Sequence, residues 1–176
     1  MEVLEQIPKT ALDVFRLLPE GTLCEVIDNI LYMSPAPKYT HQRLIGLLFK
    51  QIDAFTTGHN LGEVFFAPVD VYFKELASAV QPDLLYVANE NRGIMHHDGY
   101  IYGAPDIVIE VLSSDRKRDL VLKKGLYERA GVKEYFIVDP VTRKMQLYSL
   151  KEGSYQLVYD ETGLFKSHLL NLEFVF

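Results

Sequence analysis

Hydrophobic and polar positions along this chain switch between a helical and a strand period, and the switch points mark its elements. In residues 3–18 the second half has helical spacing (Leu12, Phe15, Leu18), and Pro19-Glu20-Gly21 ends the run. Residues 22–33 alternate around Asp28-Asn29, the pattern of a hairpin. After the loop Ser34-Pro35-Ala36-Pro37, residues 39–56 return to the helical period. Leu44, Ile45, Leu48, Ile52 and Phe55 fill one arc, His41 lies inside it one turn from the start, and Gly58 closes it. Residues 63–73 are strand-like with a break at Pro68, and residues 80–87 form a second strand entered through Pro82. The polar, Gly-containing stretch 89–103 predicts a long loop. A third strand follows over 106–112, a helix over 119–130 stopped by Gly131, and a fourth strand over 134–138 that turns at Asp139-Pro140. Residues 145–150, 155–159 and 168–176 add further strand material. Helix, three strands, helix, strand, with extra strands at both ends, predicts an α/β (mixed α+β) fold. Its central mixed β-sheet is flanked by helices, an N-terminal hairpin and C-terminal strands, in a single domain over 1–176.

Two of these elements carry a charge where the pattern demands an apolar side chain. Glu110 sits inside the run Ile107-Val108-Ile109-Glu110-Val111-Leu112. Burying an unpaired carboxylate costs several kcal/mol, so Glu110 needs a cation or a metal beside it. On a wheel of about 100° per residue, Leu120, Leu122, Leu126, Tyr127 and Ala130 span one arc of the next helix. Lys123 falls near the middle of that arc and Lys124 at its margin, so Lys123 is the expected partner. Asp83 opens the neighbouring strand just after Gln81-Pro82. Carboxylates from two adjacent strands suit a hard divalent cation such as Mg²⁺, and a backbone carbonyl such as that of Val111 can add a ligand. A lysine beside them would orient a metal-held water or offset charge on a phosphorane-like transition state. These are the parts for phosphodiester hydrolysis.

Composition narrows the class. Apolar residues make up 48% and charged residues 24% of 176, ordinary for a soluble globular chain with its own core. One cysteine, Cys24, excludes an internal disulfide and a cysteine-rich zinc site. With no run approaching a membrane span, the expected compartment is cytoplasmic. The net charge of −6 argues against a general nucleic-acid coat, but its distribution is uneven. Residues 114–133 hold seven Lys/Arg against three Asp/Glu, a net +4, which leaves −10 for the rest of the chain. Arg116, Lys117, Arg118 and Lys124 in that patch are candidate contacts to a DNA backbone, with a solvated salt-bridged helix as the plainer alternative.

At this level the chain resembles the restriction-endonuclease-like, PD-(D/E)XK superfamily, and within it the Uma-two endonuclease family. The resembling stretches are 24–29, His41-Gln42, Val80-Gln81-Pro82-Asp83, 103–113, Arg118-Asp119 with Lys123 and Tyr127, and 130–140. The resemblance implies a Mg²⁺- or Mn²⁺-dependent endonuclease acting on DNA, with Asp83 and Glu110 as metal ligands. The superfamily's usual lysine lies two residues after this glutamate, where this chain has Leu112. The resemblance places the lysine on the following helix instead, where Lys123 stands. A homodimer would suit two-strand cutting.

Other readings compete at each position. Asp83 also fits a turn residue after proline, and Glu110 a purely structural ion pair with Lys123. Asp119 either pairs with Lys123 four residues on or caps the helix. His41 is an auxiliary base or phosphate contact, or a half-buried histidine near a helix start. Asp70 is a further auxiliary candidate at the end of another strand. Asp106 lies roughly 13 Å along the strand from Glu110, too far to share an ion, and serves the strand start. Glu25 belongs to the resembling pattern without a chemical partner in view. His96-His97-Asp98 lacks the ligand spacing of a zinc site. No phosphate-binding glycine loop or nucleophile elbow is present. The alternative to an enzyme is a catalytically inactive nuclease-fold protein with a nucleic-acid-binding or accessory role.

Overall fold

In the computed structural model, residues 7–113, 115 and 118–176 are described. Arg116 and Lys117 lie outside that set. The chain begins with α1 (Ala11–Leu17), started by a capping box in which Thr10 and Asp13 each bond the other's main-chain N–H. β1 (Cys24–Ile27) and β2 (Ile30–Met33) form the expected hairpin, with Asp28 and Asn29 both at positive φ, the geometry of a tight two-residue turn. α2 (Tyr39–Gly58) follows as one long helix.

The next stretch departs from the sequence pattern. Residues 63–73 are two strands in different sheets, β3 (Gly62–Phe66) and β4 (Val71–Phe73), separated at Pro68. Residues 80–87 divide likewise into β5 (Ser78–Val80) and β6 (Leu84–Ala88), with Gln81-Pro82-Asp83 as the step from one sheet to the other. Proline gives no ladder N–H, so a step there costs no pairing. The polar stretch 89–103 holds a 3₁₀ segment (Asn89–Ile94) and a short β7 (Ile101–Tyr102). β8 (Ile107–Val111) leads into a π-type turn (Arg118–Lys123), then α3 (Lys124–Ala130) and β9 (Glu134–Val138). β10 (Lys144–Lys151), β11 (Ser154–Thr162), β12 (Leu164–Ser167) and β13 (Leu172–Val175) complete the chain. β12 lies between the two C-terminal segments expected from sequence.

Among the described residues the larger sheet runs β11-β10-β9-β8-β6-β3 and the smaller β2-β1-β5-β4-β7. The larger sheet is mixed: β8 and β9 are parallel, and its other neighbours are antiparallel. The parallel pair requires a crossover, and the π-type turn with α3 supplies it. Side chains alternate across this sheet. Leu84, Ile107, Ile109, Val111 and Phe136 pack with Leu44, Leu48 and Ile52 of α2 on one side. Leu85, Val108, Leu112 and Ile137 pack on the other with Leu126 and Tyr127 of α3 and with Ile27, Val71 and Val80 of the smaller sheet. The far face of the smaller sheet joins Phe15 of α1 to Cys24, Val26, Tyr72 and Ala79. The mixed sheet with α2 and α3 is thus the expected architecture, and α2-β3-β6-β8-α3-β9 has the expected order.

Candidate active site

Glu110 lies on β8 at a position whose alternation points it toward α3. There Lys123 Nζ stands 2.9 Å from its Oε1, and the Tyr127 hydroxyl donates to the same oxygen at 2.6 Å. Lys123 closes the π-type turn and Tyr127 comes four residues later on α3, so both fall on one helical face. A second carboxylate shares the ammonium: Glu25 Oε1 of β1 is 2.8 Å from Lys123 Nζ. The same Glu25 oxygen accepts the Gln81 main-chain N–H at 3.0 Å, which ties β1 to the step between β5 and β6. Glu25, Glu110 and Lys123 are 3%, 2% and 4% exposed. Each charge is therefore held by its partners and not by water.

Asp83 ends the same step. Its Oδ2 accepts the Val111 main-chain N–H at 2.8 Å, so it docks on the residue after Glu110. His41, from the first turn of α2, places Nε2 3.2 Å from Asp83 Oδ2 and 3.1 Å from the Val111 carbonyl oxygen. Two of the oxygens expected to bind a cation thus converge on one point, where an imidazole nitrogen now sits. The other ring nitrogen, Nδ1, is buried and without a hydrogen-bond partner among the described residues.

The electrostatics stem from this crowding. Burial pushes the Glu110 carboxyl up to about 8; Lys123 opposes the shift, while Asp83, Glu25 and Asp119 add to it. Burial alone would lower Lys123, but Glu110 and Glu25 reverse that and hold it above its ordinary value as an ammonium. Burial and then Glu110 push the Tyr127 hydroxyl well up, which keeps it a neutral donor. Burial lowers His41, yet the Asp83 hydrogen bond and charge outweigh it and raise the imidazole. Glu110, Glu25 and Asp83 act together on the one ammonium of Lys123, an excess of negative charge that a proton or a cation would offset.

The remaining expected residues have other partners. Asp119 neither caps the helix nor makes an ion pair with Lys123. Its Oδ2 accepts both the main-chain N–H and the hydroxyl of Ser113 at 2.8 Å, pinning the segment that leaves β8. Asp115 Oδ1 takes the Arg118 main-chain N–H at 3.2 Å. Asp70 bonds Gln81 Nε2 at 2.9 Å and makes no hydrogen bond with Asp83, Glu110 or Lys123. Arg118 is buried, and its Nε has no partner among the described residues. Lys124 rests its ammonium 3.8 Å from the Tyr148 ring centroid. Asp106 serves its strand start, accepting from Ala88 N at 2.8 Å and pairing with Lys133 at 2.6 Å. Among the described residues no three His, Cys, Asp or Glu side chains are arranged around a common metal position. Any cation here would rest on two carboxylates, a main-chain oxygen and water.

Comparison with known proteins bears on this geometry. A family model described as "Uma2: Putative restriction endonuclease" matches residues 11–173. The chain belongs to the Uma2 family. A crystal structure of a putative nuclease belonging to DUF820, from Anabaena variabilis, shares the fold at a TM-score of 0.76 and 19% identity. The match covers 96% of this chain and 95% of that one. No curated protein matches. Among the described residues no helix is long and apolar enough to cross a membrane.

Against the Uma2 resemblance, the residue that sequence reasoning left without a role is Glu25. The signal was present: Cys24-Glu25-Val26-Ile27 is an acid inside an apolar run, the same anomaly that drew attention to Glu110. Its partner lies about a hundred residues away, which local spacing does not reveal.

Proposed function

We propose that this Uma2 chain is an endonuclease that hydrolyses DNA phosphodiester bonds with Mg²⁺ or Mn²⁺. The observation that carries the reading is the excess of acid around Lys123, with Asp83 and the Val111 carbonyl meeting at one point beside it. Asp83, Glu110 and the Val111 carbonyl would hold the cation. Bound there, it would lower the pKa of a coordinated water and polarise a phosphoryl oxygen. Lys123 enters as a fixed positive charge and not as a base, because Glu25 and Glu110 keep its proton on. It steadies negative charge that develops on the phosphoryl oxygens. Tyr127 and Glu25 hold the two carboxylate–lysine contacts in register. His41 is an auxiliary group at the meeting point, and Asp119 positions the strand exit. The basic residues of the sequence between Arg116 and Lys124, apart from the buried Arg118, would lead the nucleic-acid backbone to the site. Fold alone confers no activity, so the reading rests on the site.

A second reading is favoured by one observation: Glu110 and Lys123 are almost fully enclosed, which suits a structural ion pair in a non-catalytic nucleic-acid-binding or accessory protein. One experiment separates the two. Supercoiled plasmid is incubated with the protein and Mn²⁺ or Mg²⁺, and nicking is tracked over time. The nuclease reading expects metal-dependent nicking that Asp83→Asn and Glu110→Gln abolish, and that Lys123→Met lowers about 10²–10³-fold, the usual effect of losing one charge-stabilising donor. Salt-sensitive DNA binding without turnover would support the accessory role. Nicking retained in Asp83→Asn would remove that residue from the mechanism.

A further inference from the structure

Away from the Lys123 network, the described residues enclose a cleft of about 350 Å³ between α1 and the smaller sheet, within the roughly 300–1,000 Å³ range of small-ligand sites. One wall is aromatic. Tyr72 stacks on Tyr102 with centroids 5.1 Å apart, and takes Phe15 and Tyr100 edge-on at 6.0 and 5.8 Å. The floor is polar and rich in acceptors. Gln81 Nε2 donates to Asp70 Oδ1 at 2.9 Å and to the Thr22 carbonyl at 3.3 Å. The amide's donors are therefore turned inward, and its Oε1 and the second Asp70 oxygen remain as acceptors. Burial, above all, raises the Asp70 carboxyl against the Gln81 hydrogen bond, and the nearby Glu20 carboxylate, which also lines the cleft, adds to the shift. At the mouth stands the exposed guanidinium of Arg16.

An acceptor floor, an aromatic wall and a cation at the mouth complement one ligand chemistry. The amino edge of a nucleobase would donate to Asp70 and Gln81, its ring would pack on the tyrosines, and its phosphate would meet Arg16. Two rings of the wall already carry the chain's own cations, so a base would pack on the wall beside them. Arg16 lies 5.9 Å from the Tyr72 centroid and Lys74 4.6 Å from that of Tyr102. We propose that this cleft is a nucleotide-binding subsite selective for bases with an exocyclic amino group. Gln81 connects it to the candidate active site: its side chain forms the floor, while its main-chain N–H holds Glu25, which holds Lys123.

The test is binding to the metal-free full chain, read by titration calorimetry with dAMP, dCMP, dGMP, dTMP and deoxyribose 5-phosphate. The amino-bearing nucleotides are expected to saturate one site at least about tenfold more tightly than dTMP, the scale of one well-made base contact. Asp70→Asn removes that preference. Arg16→Ala weakens every nucleotide alike. The proposal is overturned by absence of saturable binding, by sugar phosphate binding as tightly as the nucleotides, or by Asp70→Asn that retains the preference. Should Asp70→Asn fail to fold, the exposed Arg16→Ala variant and the dTMP comparison on the natural chain decide. No turnover is measured, so this proposal and the nuclease reading fail separately.

Discussion

His41 carries the most direct pH signature of the site. Burial works against its proton, but the Asp83 carboxylate and the Val111 carbonyl outweigh burial and raise the imidazole above its ordinary 6.5. The folded state therefore holds that proton more tightly than the unfolded chain. His41 contributes stability that is fully present below its unfolded value and lost as pH rises through the higher folded one. In urea melts across about pH 5 to 9, the natural chain is expected to lose stability as pH rises, and His41→Gln to lose less. Glu110 tilts the curve the same way, because its folded value is also raised, so the slope in His41→Gln shrinks without vanishing. An unchanged slope would show that His41 does not hold an extra proton. At this scale the sequence spoke through misplaced charges: Glu110 in an apolar strand and Lys123 in an apolar helical arc do meet. The contact of Tyr127 was not legible, since it fits its apolar arc; His41 did stand out inside the arc of α2, but its partners Asp83 and Val111 lie on other elements.

At the scale of elements, α3 matters because it presents Lys123 and Tyr127 to β8. Its anchor is Leu126, fully buried against the sheet. Leu126→Ala is expected to cost about 2–5 kcal/mol of unfolding free energy, the usual range for an emptied leucine site. Chemical denaturation measures it, and a loss under about 1 kcal/mol would mean the helix closes over the gap. The hairpin, α2, β8, the Gly131 stop of α3 and β9 were legible from periodicity and punctuation; the helix expected over 119–130 is a π-type turn up to Lys123 and an α-helix only from Lys124. The divisions of 63–73 and 80–87 were not. Both sheets bury these strands, so the apolar rhythm runs on across the step, and only Pro68 and Gln81-Pro82-Asp83 mark it. β12, four residues long, is too short to establish a period.

For the whole molecule, the two sheets bring Glu25 and Glu110 from distant stretches onto one ammonium, with Asp83 docked on the neighbouring Val111 N–H, and the energetic consequence is measurable. A cation that binds only the folded chain stabilises it by about 2.7 kcal/mol when present at a hundred times its dissociation constant. Thermal melts with Mn²⁺ are expected to shift upward in the natural chain and not in Asp83→Asn. Equal shifts in both would place the ion elsewhere. The π-type turn between β8 and α3 sets a further condition. Such a turn accommodates one residue more than an α-helical turn would, and each residue added or removed rotates the downstream helix by about 100°. Losing one residue of 118–123 is therefore a change this turn can take up by tightening to an α-helical one, whereas adding another before Lys123 would swing its ammonium away from both glutamates. Along this connection the protein can lose a residue more readily than gain one, provided Asp119 and Lys123 keep their kind.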